Sequence, residues 1–246
     1  MVTGASSGIG ESFAAALARA GVDLVLVARR GELLEEQAGR LRGLGVGVEV
    51  LVADLTEDDG LRRACERARG VDLLVNNAGF GAFGAFEGVG VEEHRRQIGL
   101  NVTAVVELAH AALGGMAERG RGGILNVASV AAYVPSPGSA VYGASKAFVV
   151  SFSESLHAEA KGAGVHVTAL CPGFTRTTEG EATGLMWLAR EKVAAAGLAA
   201  VARGKARCVP GAQYRALLPV LALTPAAALR AASAALWRRA FATHAG

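Results

Sequence analysis

Thr3-Gly4-Ala5-Ser6-Ser7-Gly8-Ile9-Gly10 opens the chain, and a helical stretch over residues 11–20 follows it. Three glycines crowd a turn between a strand and a helix. Residues without side chains permit tight backbone geometry and the close approach of a pyrophosphate. The helix start beyond them offers free N–H groups and the positive end of a dipole. The spacing is Gly-x-x-x-Gly-x-Gly, not the Gly-x-Gly-x-x-Gly of most dinucleotide fingerprints. No Gly-Lys-Ser/Thr follows, so it is not a P-loop. Taken alone, such a turn fits a flexible loop as well as a nucleotide site.

Strands and helices alternate beyond it. Residues 23–28, 46–53, 72–76, 123–129 and 165–171 read as buried parallel strands, being short and nearly continuously apolar. Helical patterns lie between them at 32–44, 57–69, 91–118 and 139–161, and Thr56 with Asp59 marks a helix start. The alternation predicts an α/β fold, a doubly wound parallel sheet of Rossmann type with right-handed crossovers. A chain of 246 residues fits one such domain, and 52% hydrophobic residues supply a large core. Residues 1–246 are therefore read as a single dinucleotide-binding and catalytic domain, with 211–246 as a helical C-terminal appendage.

A second motif lies at Tyr142-Gly143-Ala144-Ser145-Lys146. A phenol and an ammonium four residues apart share one face of a helix. A phenol ordinarily titrates near about 10, and a nearby positive charge lowers that value. The pair is thus suited to moving one proton to or from a substrate oxygen. In isolation it also fits a surface helix on which the two residues happen to be neighbours.

The ordered series settles the matter. The glycine turn, then Asn76-Asn77-Ala78-Gly79, Ser129, Tyr142-x-x-x-Lys146 and Pro172-Gly173 resembles the motif series of the short-chain dehydrogenase/reductase family, over roughly residues 1–210. The resemblance implies an oxidoreductase that moves a hydride between a nicotinamide cofactor and a carbonyl or alcohol substrate. It makes Tyr142 the proton donor or acceptor. Lys146 would lower the Tyr142 pKa and bind the nicotinamide ribose. Ser129 would hold the substrate oxygen, and Asn101 would mark a bent helix that holds a relay water. Gly4, Ser6, Ser7, Gly8, Ile9 and Gly10 would line the pyrophosphate. Asp54 would meet the adenine amino group, with Leu55 flanking that ring. Asn76 would tie neighbouring strands together, and Asn77, Ala78 and Gly79 would lie along the cofactor. Pro172, Gly173, Thr175 and Thr177 would meet the nicotinamide end. Residues 174–190 fall where the family places a substrate lid. Phe80, Phe83, Phe86, Met186 and Trp187 are pocket candidates that read equally well as ordinary core. The alternative of a different class is a non-catalytic NADP-binding regulator on the same fold. Such proteins usually lose the Tyr or the Lys, and both are present here.

Cofactor choice is read at the end of the second strand. NAD enzymes place an acid there to accept bonds from the ribose hydroxyls. Here Ala28 is followed by Arg29 and Arg30, with no acid before Glu32. A guanidinium fork suits phosphate oxygens. The resemblance places a basic residue at Arg29 in NADP-using members, and Arg30 reads nearly as well as the solvated start of the next helix. The expectation is NADP.

Composition excludes several classes. The three cysteines are odd in number and lack Cys-x-x-Cys spacing, which argues against a disulfide framework or a zinc site and fits a reducing cytoplasm. Cys171 reads as a buried inert thiol. The five histidines have no metal-ligand spacing, and Ser129 lies in no Gly-x-Ser-x-Gly elbow. No metal is expected. No stretch reads as long enough and apolar enough to span a bilayer; Pro219 and Pro225 interrupt the uncharged run after Arg215.

Net charge is +3, but no acid follows Glu191, while eight Lys and Arg do. A solvated basic surface is the first reading. An approach path for an anionic acyl-carrier substrate, or a peripheral membrane contact, is the second. Aromatic residues do not interleave with the basic ones, so nucleic acid is not expected as a partner. A homo-oligomer is.

The first strand is short. Only Met1 and Val2 precede Thr3, where about five or six residues are usual. Either the natural start lies upstream or the central strand is stunted. The former is expected, because losing a central strand would strip hydrogen-bond partners from both neighbours.

Overall fold

The computed structural model describes residues 1–177 and 184–242, with side chains as far as Arg238. Among these residues the main sheet has seven parallel strands in the order β3-β2-β1-β4-β5-β6-β9. These are β1 Val2–Thr3, β2 Leu24–Ala28, β3 Val48–Val52, β4 Leu73–Asn76, β5 Gly122–Val127, β6 Val165–Leu170 and β9 Arg207–Cys208. The last has two residues and pairs with Ala169 and Leu170. It is too short to carry a period, so the sequence reading missed it. A two-stranded ribbon, β7 Thr175–Arg176 with β8 Leu188–Ala189, stands apart from the sheet.

Helices cover both faces. They are α1 Gly8–Arg19, α2 Gly31–Arg42, α3 Asp58–Ala68, α4 Val91–Ile98, α5 Ala104–Glu118, α6 Ala140–Ala160, α7 Arg190–Ala202, α8 Ala212–Leu223 and α9 Ala226–Ala242. Side chains alternate along each strand, which explains why the strands read as continuously apolar. Leu26, Val75, Leu125 and Leu170 join Phe13, Leu17, Leu34, Val193 and Ala194 in one core layer. Val25, Val27, Leu74, Ile124 and Val167 join Leu61, Leu108, Ala109 and Met116 in the other.

The short first strand is central and paired on both edges. Val2 and Thr3 register with Leu26 and Val27, and Val2 with Val75. Met1 adds to the ladder: its amine donates to the Leu73 carbonyl (2.8 Å) and its carbonyl accepts from Val75 (2.9 Å). The neighbours therefore keep their partners at this level. Asn76 and Asn126 span the next pair of strands, with Asn76 Nδ2 donating to Asn126 Oδ1 at 2.9 Å. Asn76 thus ties strands together as the resemblance implied.

Four expectations need correction. The helix expected over 91–118 carries a π turn, Gly99–Thr103, between α4 and α5. The continuous run Val91–Glu118 is also long and apolar enough by composition to cross a membrane. Its apolar residues Leu108, Ala109, Ala112 and Met116 are buried against the sheet, so the protein core uses them. Finally, α8 runs through Pro219, and α3 starts at Asp58, because Thr56 bonds Asp54 instead of capping the helix.

Strand order reverses between β1 and β4. Open α/β sheets bind ligands in the crevice beyond the carboxyl ends of strands at such a point. The glycine turn, Asn77, Ser129 and Pro172 all follow the carboxyl ends of strands in this region.

Candidate active site

The glycine turn is shaped by backbone, not by choice of side chain. Gly4 and Gly8 have φ of +64° and +59°, which L side chains rarely adopt. A Cβ on Gly10 would lie 2.2 Å from the Gly4 carbonyl oxygen and 2.5 Å from Asn77 Nδ2. The turn is thus folded against the end of β4. Asn77 Nδ2 donates to the carbonyls of Thr3 (2.9 Å) and Gly4 (3.3 Å). The Thr3 hydroxyl accepts from the amides of Asn77 and Ala78, both at 3.0 Å. The Asn77 Nδ2 group, expected to lie along the cofactor, is bonded to the glycine turn, and Thr3 was missed as its partner. Ile9 packs on the core. The Thr177 side chain lies over Gly8.

The two arginines after β2 diverge. Arg30 Nη2 donates to both loop serines, Ser6 Oγ at 3.0 Å and Ser7 Oγ at 2.8 Å. Arg29 turns to Asp54 Oδ2 at 3.7 Å. Arg30, weighted lower from sequence, is the residue joined to the glycine turn. Burial pushes the Asp54 carboxyl up, but bonds from the Thr56 amide and hydroxyl and the Arg29 charge hold it below its usual range. Leu55 is buried, in the same core cluster as Val25, Val27 and Leu61.

The groups expected to react converge beyond β5. Ser129 follows that strand in extended conformation, and its hydroxyl accepts from the Ala131 amide at 3.1 Å. Tyr142 and Lys146 stand one turn apart on α6, with Lys146 Nζ 5.7 Å from the Tyr142 ring centre. Burial raises the Tyr142 pKa, and its hydrogen bond with Ser129 pulls the other way. Burial also draws Lys146 down, from 10.5 to about 8. Lys146 Nζ donates to the Val127 carbonyl at 2.8 Å, which anchors it under the strand.

Asn101 sits inside the π turn, where the regular ladder is interrupted. It is fully buried and satisfied: Oδ1 accepts from the Phe80 amide (3.1 Å), while Nδ2 donates to the Phe80 carbonyl (2.9 Å) and Ser145 Oγ (3.1 Å). Ser145, whose hydroxyl donates to the Tyr142 carbonyl at 2.8 Å, was missed; its place inside the Tyr-x-x-x-Lys run was the available signal. A Cβ at Gly79 would lie 3.0 Å from Asn101 Oδ1 and 3.4 Å from Lys146 Nζ. Gly79 therefore keeps open the space between Asn101 and Lys146.

Pro172 is buried after β6, and its carbonyl accepts from the Val130 amide at 3.0 Å. Gly173 is required by Tyr214: a Cβ there would stand 1.8 Å from the phenol ring. Tyr214, unassigned from sequence, accepts from the Phe174 amide (2.9 Å) and donates to the Met186 carbonyl (2.6 Å). It thereby holds both described ends of the expected lid, of which residues 178–183 lie outside the described residues. The Thr175 hydroxyl donates to the Gly173 carbonyl at 3.0 Å. Among the pocket candidates, Phe83 tilts toward Tyr142 at 6.0 Å and Trp187 against Phe174 at 5.3 Å, whereas Phe86 stacks on His94 at 4.9 Å. No cluster of metal-ligating side chains occurs among the described residues.

The buried lysine has a stability signature. Its folded pKa, about 8, lies below the ordinary 10.5, so the unfolded chain holds this proton to higher pH. The buried charge costs stability below pH 8, and that cost is relieved as pH rises from 8 toward 10.5. Lys146→Met in the cofactor-free protein is expected to be more stable than wild type at neutral pH, by on the order of 1–3 kcal/mol, with the gap closing toward pH 10. Cys65 and Cys171, both raised by burial to about 11, act in the opposite sense. The difference between variant and wild type in thermal melts across pH is therefore the readout. A wild type at least as stable as the variant at pH 7 would refute the burial cost.

Comparison with known proteins agrees with this geometry. Residues 1–184 match the family model described as short chain dehydrogenase. Over 183 residues the chain is 39% identical to sulfoacetaldehyde reductase 2 of Chromohalobacter salexigens, covering 72% of each protein. It is similar to a short-chain dehydrogenase from Sphingobium yanoikuyae solved in complex with NADPH, at 37% identity and a TM-score of 0.80, covering 88% of this chain and 90% of that one. It is also similar to the bulky-bulky ketone specific alcohol dehydrogenase of Comamonas testosteroni, at 34% identity and a TM-score of 0.81, covering 91% and 93%.

Proposed function

This chain belongs to the short chain dehydrogenase family, and on that premise we propose that it is an NADP-preferring oxidoreductase in which Tyr142 exchanges the proton with the substrate oxygen. The family supplies the coarser statement: an enzyme that moves a hydride between a nicotinamide cofactor and a carbonyl or alcohol. The bound nicotinamide supplies the hydride chemistry. The observation that carries the finer reading is the Tyr142–Ser129–Lys146–Asn101 group at the carboxyl ends of the strands, beside a glycine turn with no room for side chains.

The fit of these residues to a dinucleotide rests on space. Gly4, Gly8, Gly10 and Gly79 leave a cradle that a Cβ would crowd or strain. In the reduction direction Ser129 would hold the carbonyl oxygen, and Tyr142 would donate its proton as that oxygen gains charge. Burial keeps the phenol protonated at neutral pH, the state a proton donor needs. Lys146, anchored on Val127, would hold positive charge beneath the phenol and offer its remaining N–H groups toward the cofactor. A panel of ketones, aldehydes and acyl thioesters, followed by nicotinamide absorbance with both cofactors, tests the activity. Oxidation of neither cofactor with any member would count against it.

NADP preference is supported by Arg30, which joins the second strand to Ser6 and Ser7 in the glycine turn. A guanidinium there faces hydroxyls that a 2′-phosphate could replace or share. Arg30→Asp is expected to weaken NADPH binding by about a hundredfold while leaving NADH binding unchanged or tighter, since it replaces a phosphate donor by a repelling carboxylate. Arg29→Asp is expected to do less, because Arg29 is engaged with Asp54. Fluorescence titration of both cofactors is the measurement, and tighter NADH than NADPH binding in the wild type would reverse the assignment.

A further inference from the structure

The region after Glu191 carries eight basic residues and no acid, and the fold gathers several of them into one place. A groove of about 590 Å³ runs between α7, β9 and the start of α8, lined by Lys192, Arg203, Lys205, Arg207 and Arg215. Of these five, only Arg207 has a carboxylate partner among the described residues, Glu154 at 2.5 Å. The groove ends on Gly211, Gln213 and Arg215, and α8 continues from there as an almost wholly apolar helix. Tyr214 faces inward and is buried, while Val220 and Leu223 are 60% and 86% exposed. On α9, Leu236 is 67% exposed, between exposed Arg230 and Arg238.

We propose that the α7–α8–α9 end of the molecule docks on an anionic bilayer, with lipid phosphates in the basic groove and the exposed aliphatic residues of α8 and α9 in the interface. Apolar side chains beside unpaired lysines and arginines are the composition of interfacial helices, whose binding adds buried apolar area to attraction for anionic lipid. A second copy of this chain is a poorer occupant. A symmetric contact would place this face against itself, arginine toward arginine, with only Glu154, already paired with Arg207, to compensate. Charge complementarity thus selects a negative surface, and the aliphatic exposure selects one with an apolar interior. The lid lies next to this surface: Gln213 donates to the Leu185 carbonyl at 3.0 Å, and Leu185 is 87% exposed.

Co-sedimentation of the full chain with phosphatidylcholine vesicles, with and without phosphatidylglycerol, tests the proposal. Wild type is expected to sediment with the anionic vesicles only, and to be released by high salt. Arg203→Gln/Lys205→Gln/Arg215→Gln should lose roughly fivefold in vesicle affinity for each charge removed. Val220→Glu/Leu223→Glu should lose binding by a similar factor with the basic groove intact. Unchanged melting temperatures would show that both variants fold, and single substitutions replace any variant that does not. Three results would overturn the proposal: no sedimentation of wild type, equal binding to neutral vesicles, or variants that bind as wild type does. A concentration-dependent dimer abolished by Val220→Glu/Leu223→Glu, without vesicle binding, would assign the face to a second copy instead. Capture of an acidic protein without vesicle binding would likewise overturn it.

Discussion

Tyr142→Phe is expected to reduce turnover by about 10²–10⁴-fold while leaving the fold and cofactor affinity close to wild type. The ring is retained, so its place beside Phe83 and above Lys146 is retained. Only the hydroxyl is lost, and that hydroxyl is the group bonded to Ser129. The direction of the Tyr142 shift adds a pH signature. Burial raises its pKa, so the phenol stays protonated through the neutral range and is ready to donate in carbonyl reduction. Alcohol oxidation needs the phenolate and should therefore gain rate as pH rises, while reduction should hold until the phenol titrates. Both limbs should vanish in Tyr142→Phe. Rates for ketone reduction and alcohol oxidation across pH, on a verified substrate, make the measurement. Near-normal turnover in the variant would remove Tyr142 from the mechanism.

Gly10→Ala is expected to be as damaging by a different route. The added methyl would stand 2.2 Å from the Gly4 carbonyl oxygen, and 2.5 Å from the Asn77 amide that locks the turn. Neither is the free end of a flexible side chain: one is backbone, and the other is bonded to Thr3 and Gly4. The first turn of α1 must therefore move away from β4, and the cofactor cradle with it. Such overpacking costs about 1–3 kcal/mol or more, which for a chain of this size lowers Tm by roughly 2–4 °C per kcal/mol. Cofactor affinity should fall at least tenfold. Gly39→Ala is the control. It lies within α2 with nothing within 4 Å of its added methyl, so it should be neutral or slightly stabilising. Equal melting temperatures for the two variants would show that the turn is looser than these distances state.

Much of the site was legible because its chemistry is local in sequence. A turn that needs positive φ at Gly4 and Gly8 must show glycine, and a proton pair on one helix face must show Tyr and Lys four apart. The strands from β2 to β6 were legible because a parallel sheet buried on both faces leaves continuous apolar runs. β9 was not, since two residues carry no pattern. Nor were the partners that lie far along the chain. Asn101 meets Ser145 across 44 positions, and Tyr214 reaches back to Phe174 across 40.

The sequence by itself determined the fold class, the family and the candidates for the proton chemistry, because backbone conformation, hydrophobic period and short motifs are written residue by residue. Only the tertiary structure decided what those residues face. It turned Arg29 to Asp54 and Arg30 to the glycine turn, two adjacent guanidiniums that composition cannot tell apart. It buried Lys146 deeply enough to draw its pKa down to about 8, and it buried Tyr142 so that the phenol's pKa rises. It also gathered five of the scattered cations after Glu191 into one groove. Burial and charge proximity depend on distances across the fold, and those distances are set by how the layers pack.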